Sequence, residues 1–225
     1  MIKTKRFPPY KASVVFRSQP ISPHKNVEDF DRFGILLKES RKFCKRVGLG
    51  QDLIMQVMRT DTDWAFILKV DALLEGAAKH VIHHGVRIQY LNRTLQSEAL
   101  DDFVDALPMN GRTSLVQLLK ASALPDEEIR FVETTRLVRN AYAHEIRFAD
   151  LRLIELIKSR NDKSRLIKDL SAIRTYEEAN LIASYEKDPI FLRFCIIDSA
   201  MRFLFYAYHL TSRKKPIRRN RKGTR

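Results

Sequence analysis

The stretch DTDWAFILKVDALLEGAAKHVIHHG, Asp61 to Gly85, decides the fold class. Phe66, Ile67, Val70, Leu73, Leu74 and Ala77 recur at steps of three and four residues. That spacing puts them on one face of a helix, whereas a strand would alternate them across two. Asp61 or Thr62 can cap the first turn, and Gly85 is the expected stop of a helix over 64–84. The same periodicity continues outward on both sides. Upstream, Phe30, Phe33, Leu36, Leu37 and Phe43 mark a helix over 27–48, followed by a short one at 52–58. Downstream, helical segments are expected at 96–107, 113–121, 125–146, 151–157, 164–173, 176–185 and 189–210. Pro125 with Asp126, Glu127 and Glu128 behind it is a helix start, because acids favour the positive end of the helix dipole. The expected fold is all-α, a helical bundle.

Composition excludes the competing classes. A chain of 225 residues, 44% of them hydrophobic, can bury the core of one sizeable domain or two small ones. Its 7 glycines are about half the usual share of ~7%, which argues against Gly-rich phosphate loops, collagen and most all-β designs. Cys44 and Cys195 form no C-x-x-C pair and no disulfide framework, so a reduced, cytoplasmic protein is expected. No apolar run approaches the ~18 residues of a membrane span, and the basic N-terminus lacks the apolar segment of a signal peptide.

The net charge of +14 is confined to the two ends. Residues 1–26 carry Lys3, Lys5, Arg6, Lys11, Arg17 and Lys25 without an acid. Residues 213–225 carry Arg213, Lys214, Lys215, Arg218, Arg219, Arg221, Lys222 and Arg225, again without an acid, so the body between is neutral. Pro8, Pro9, Pro20 and Pro23 keep the first segment from becoming a helix, although 11–17 can form one short strand. Such arms, read as flexible, attract polyanions and above all nucleic acid through counterion release. They supply affinity rather than sequence readout; the plainer alternative is a pair of solubilising tails. The expected organisation is a basic arm (1–26), a helical domain (27–146), C-terminal helices packing on it (147–212) and a basic tail (213–225).

Within 125–146, Arg136, Asn140 and His144 fall at i, i+4 and i+8 and form one stripe, with Glu133 beside it. Arg139 lies ~140° around the helix from His144, so its side chain must curl to share a site. Val132, Val138, Ala141 and Tyr142 occupy other parts of the circumference. A polar stripe wrapped by apolar residues suits a functional face buried in the fold or in a dimer, and equally a salt-bridged structural face.

At these residues the chain resembles the HEPN superfamily, all-α domains marked by an arginine and a histidine with four to six residues between them. Arg139, Asn140 and His144 match the form in which a polar residue follows the arginine. The string Val-Arg-Asn-Ala-Tyr-Ala-His also looks like the variant found in branches resembling mannitol-operon repressors. Two further pairs have similar spacing. Arg17–His24 spans Pro20 and Pro23, and Arg202–His209 is surrounded by Phe203, Phe205, Tyr206 and Tyr208, which reads as core edge.

The resemblance, over roughly 27–146, implies a metal-independent endoribonuclease working as a homodimer, without cofactor. It implies Arg139, Asn140 and His144 as the catalytic residues and RNA as the partner. An imidazole, which ordinarily titrates near ~6.5, can take or give a proton near neutrality, and a guanidinium fork suits a phosphate. Arg136, Arg213, Lys214, Lys215, Arg218 and Arg219 are the cations expected on RNA. Such domains often serve stress or phage defence, in which an antitoxin or regulatory partner holds them. The rival readings are a non-catalytic HEPN-like regulator or RNA-binding scaffold and, ranked last, a DNA-binding regulator relying on its arms.

Three other features read as structural. His80, His83 and His84 lack the glutamate of a His-Glu-x-x-His pattern and are explained by a helix C-terminus at Gly85. Glu98, Asp101, Asp102 and Asp105 read as a solvated face. Cys44 and Cys195 read as core.

Overall fold

Ten helices make up the residues that the computed structural model describes, 27–89, 97–144, 148–171 and 178–212, and no strand occurs among them. They are α1 (Val27–Arg46), α2 (Leu53–Met58), α3 (Asp63–Gln89), α4 (Ser97–Ala106) and α5 (Leu115–Lys120), then α6 (Asp126–His144), α7 (Leu153–Lys158), α8 (Lys163–Ser171), α9 (Glu178–Lys187) and α10 (Pro189–Ser212). Both basic arms, and with them the candidate strand at 11–17, lie outside the described residues.

Helix α3 is the axis of the bundle. Its expected apolar face is the buried one: Phe66, Ile67, Val70 and Leu74 are fully covered, and Leu73 and Ala77 nearly so. Thr62 provides the cap, its Oγ1 accepting from the Ala65 N–H at 3.2 Å and its carbonyl from Phe66 at 3.0 Å. Around α3 pack α6 and α10, with α5 and α4 on its remaining sides, while α10 also lies along α1. Ile196, Met201, Phe203 and Leu204 of α10 share one core with Phe43 of α1 and the α3 face. The helices beyond 147 therefore complete that core and do not form a second one.

The chain turns are set by a few polar contacts. Gly48, at φ 76°, ends α1: Leu49 N–H donates to the Cys44 carbonyl (2.8 Å) and Gly48 N–H to that of Lys45 (3.3 Å). That is a Schellman arrangement, which needs a left-handed residue at this position. Arg193 of α10 ties three elements together. Its Nε donates to Asp63 Oδ1 at 2.6 Å, its Nη1 to the Thr60 carbonyl, and Asp63 Oδ2 accepts from the Leu153 N–H at 2.6 Å. Cys44 and Cys195 are buried; burial pushes both thiols up, that of Cys195 to about 12, which keeps them protonated.

Gly85 does not stop α3, which runs on to Gln89. A helical glycine costs only about 1 kcal/mol relative to alanine, and packing against α4 outweighs it. The histidines consequently sit within the helix rather than at its end. His83 Nδ1 lies 2.8 Å from Asp101 Oδ1, and Lys79 Nζ donates to the Asp105 carbonyl at 3.3 Å. Asp101 and Asp105, expected as part of a solvated face, thus hold α4 against α3.

Candidate functional site

Helix α6 carries the Arg-Asn-x-x-x-His motif on a rigid support. Ile129, Phe131, Val132, Val138 and Tyr142 are buried against the bundle. Tyr142 Oη donates to the Leu151 carbonyl at 3.1 Å, pinning the C-terminal end of the helix. This packing leaves the Arg136–Asn140–His144 stripe along one edge, graded in exposure. Arg136 keeps 21% of its side-chain surface exposed and Arg139 keeps 34%, Asn140 is half-buried, and His144 at the last position is exposed.

The stripe is organised by a residue that the motif does not contain. Asp71 of α3, its side chain only 5% exposed, accepts from Arg136 Nη1 through Oδ2 and lies 3.8 Å from Arg139 Nε through the same oxygen. Arg136 Nη1 also donates to Glu75 Oε2 at 3.2 Å. Arg139 Nη1 donates to Asn140 Oδ1 at 3.2 Å, so its side chain does curl back onto the stripe. Burial pushes the Asp71 carboxyl up, and Arg136 and Arg139 pull it part of the way back. Its Oδ1 is buried without a hydrogen-bond partner.

The site residues thus divide. Arg139 and Asn140 are in contact, and His144 lies one turn beyond Asn140 on the same face, with no hydrogen bond or ion pair to another described residue. Arg136, expected on RNA, has its guanidinium on two carboxylates of α3. Glu133 turns away to Lys120 of α5 (2.7 Å). Arg213, Lys214, Lys215, Arg218 and Arg219 lie outside the described residues. Of the pair at core edge, Arg202 Nη2 lies 2.9 Å from the buried Glu128, and His209 rests on the Phe205 ring, centroids 4.3 Å apart.

Asp71 is the neighbour of the stripe that sequence reading missed. Its signal was present, since an acid lying among Ile67, Val70 and Leu74 on an apolar helix face requires a buried cationic partner.

Two surface depressions lie away from α6. One runs along α1, and the other lies at Ser159–Asp162. Among the described residues no three His, Cys, Asp or Glu side chains converge as a metal-ligand set, and no helix is long and apolar enough to cross a membrane. No family model, curated protein or solved structure matches this chain.

Proposed function

We propose that this chain is a HEPN-type endoribonuclease whose site is completed by a second copy. The observation that carries the reading is the arrangement on α6: Arg139 is turned onto Asn140 by its own hydrogen bond and backed by buried Asp71, while His144 on the same face is open to a substrate.

Metal-free RNA cleavage needs a base for the 2′-hydroxyl, an acid for the departing 5′-oxygen and positive charge on the phosphorane. In the proposed reaction His144 takes the 2′-hydroxyl proton as the 2′-oxygen bonds to phosphorus. The phosphorus–O5′ bond then breaks, and the His144 of a second copy protonates O5′. Arg139 stabilises the extra charge on the non-bridging oxygens, and Asn140 holds Arg139 in register. The products are a 2′,3′-cyclic phosphate and a 5′-hydroxyl. A single imidazole is poorly placed to serve both ends of an in-line displacement. A two-fold pairing along this edge supplies the second imidazole.

The second reading, a non-catalytic HEPN-like regulator or RNA scaffold, draws on Arg136. An arginine held by Asp71 and Glu75 is what a structural ion-pair face looks like. Incubating the purified chain with labelled RNA in a chelator and analysing the product ends separates the two readings. Cyclic phosphate ends support the nuclease, whereas intact RNA favours the regulator. Cleavage that appears only on adding metal returns attention to His80 and His84. A role in stress or phage defence, with an antitoxin or regulatory partner, belongs to the same proposal.

A further inference from the structure

Helices α1 and α10 lie side by side, and toward their C-terminal ends they bring together Phe205, Tyr206 and Tyr208, a histidine and two cations. Arg46, the last residue of α1, stands over Tyr208, its guanidinium carbon 4.4 Å from the ring centroid. Its Nη1 donates to Ser212 Oγ at 2.8 Å and to Thr211 Oγ1 at 3.3 Å. Those hydroxyls direct their own hydrogens to the carbonyls of Tyr208 (2.5 Å) and Ala207 (2.8 Å), which turns lone pairs toward Arg46. The guanidinium is thus held without a carboxylate. Among the described residues Arg46 forms no ion pair, and its Nε and Nη2 make no hydrogen bond.

One turn before it, Lys42 Nζ lies 5.9 Å from the same ring centroid and 2.6 Å from Glu39 Oε1. Glu39 Oε2 lies 3.9 Å from His209 Nε2. The Glu39 side chain is 13% exposed, against 47% for Lys42 and 52% for His209. The acid is therefore largely covered, while the cation and the imidazole face solvent. His209 meets Tyr208 edge-on (5.5 Å) and rests against Phe205 (4.3 Å), whose ring also meets Tyr206 (5.7 Å). An exposed imidazole backed by aromatic rings thus stands beside a fixed guanidinium.

We infer that Lys42, Arg46, Phe205, Tyr208 and His209 form a landing site for single-stranded RNA, with a phosphate on the two cations and a base stacked on His209. A guanidinium fork suits a phosphate, and every base has a π-face that an aromatic side chain can take. Charge selects this occupant over an apolar one. The exposed members of the cluster are Lys42, Arg46 and His209, and the rings behind them are half-buried. The apolar surface of α1 lies about two turns nearer its start, at Ile35, 51% exposed, and Leu37. The inference rests on the reading that RNA is the partner. Binding alone tests it, so it can fail while cleavage stands, or stand while cleavage fails.

The test uses the full chain with a 2′-O-methyl RNA 20-mer, which lacks the 2′-hydroxyl nucleophile, and an abasic oligomer of the same backbone. His209→Ala is expected to weaken binding of the base-bearing oligomer by about 5–150-fold, the range for one stacked base. It should leave the abasic oligomer and the salt dependence unchanged. His209→Phe keeps a ring and should retain the parent's affinity. Arg46→Gln removes one phosphate contact, so the slope of log affinity against log salt becomes shallower by about 0.7 for both oligomers. Should Arg46→Gln fail to fold, Lys42→Gln, at an exposed position, gives the same reading. A parent chain that binds neither oligomer overturns the inference, as do folded variants that bind both as the parent does. Equal losses on the two oligomers in His209→Ala also overturn it, because the ring would then act through the fold. Folded variants that keep RNA but lose phosphatidylserine vesicles would make this face a membrane contact instead.

Discussion

At the residue scale, Asp71 is the pivot of the α6 stripe. A buried carboxylate facing two arginines fixes Arg139 from behind, while the Asn140 amide fixes it from the side. Among the described residues, Asp71→Asn leaves Arg136 with Glu75 alone and Arg139 with no carboxylate partner. It is expected to destabilise the fold by about 2–4 kcal/mol, the cost of breaking a buried pair reduced by the partial exposure of the arginines. Assayed well below its melting temperature, this variant should cut RNA at least tenfold more slowly. Glu75→Gln, which touches Arg136 and Lys79 but not Arg139, should stay within about threefold of the parent. Equal losses in the two variants would mean that Asp71 only stabilises the fold. The Arg139–Asn140–His144 triplet was legible in the sequence because its spacing is local to one helix. Asp71 is 65 residues from Arg136 in the chain, and no local pattern could pair them.

At the scale of elements, periodic apolar residues made α3, α6 and α10 readable; the ends of α6 and α10 fell within about two residues of the expected ones, whereas α3 ran on past its expected stop to Gln89. Gly85 misled because a stop signal is a local preference of about 1 kcal/mol, and Lys79 and His83 bind α4 to the turns just before it. A second contact between elements sets a pH dependence. Glu128, in the first turn of α6, is buried against Arg202 of α10, and burial pushes its carboxyl up to about 7. A native pKa raised from 4.5 means that the folded chain keeps this proton longer than the unfolded chain does. The associated stability is fully present below pH 4.5 and is lost as pH rises to about 7, a difference of roughly 3 kcal/mol. Glu128→Gln should flatten this part of the profile of melting temperature between pH 4.5 and 8. A variant with the parent's slope would show that other groups set it. The same contact makes Arg202→Ala a poor control for Arg139→Ala, since it removes the ion-pair partner of buried Glu128.

For the whole molecule, a neutral body with basic ends predicts separate duties for assembly and for RNA capture. Light scattering at micromolar concentration should report a dimer, because an in-line displacement needs a second imidazole and each copy brings one His144. A monomer at every concentration would remove the second imidazole from the mechanism. Deleting 213–225 should lower the salt slope for single-stranded RNA by about 3–4 if five of its eight cations engage phosphates, while an unchanged slope would mark the tail as a bystander. The central claim, that Arg139 and His144 together cleave RNA without metal, is tested most directly by single-turnover cleavage in a chelator. His144 is exposed at a helix end, so His144→Ala should change stability by no more than about 0.5 kcal/mol. The parent chain should yield 2′,3′-cyclic phosphate ends, and His144→Ala should be slower by about 10²–10⁴-fold. A His144→Ala chain that cuts as fast as the parent would contradict that claim.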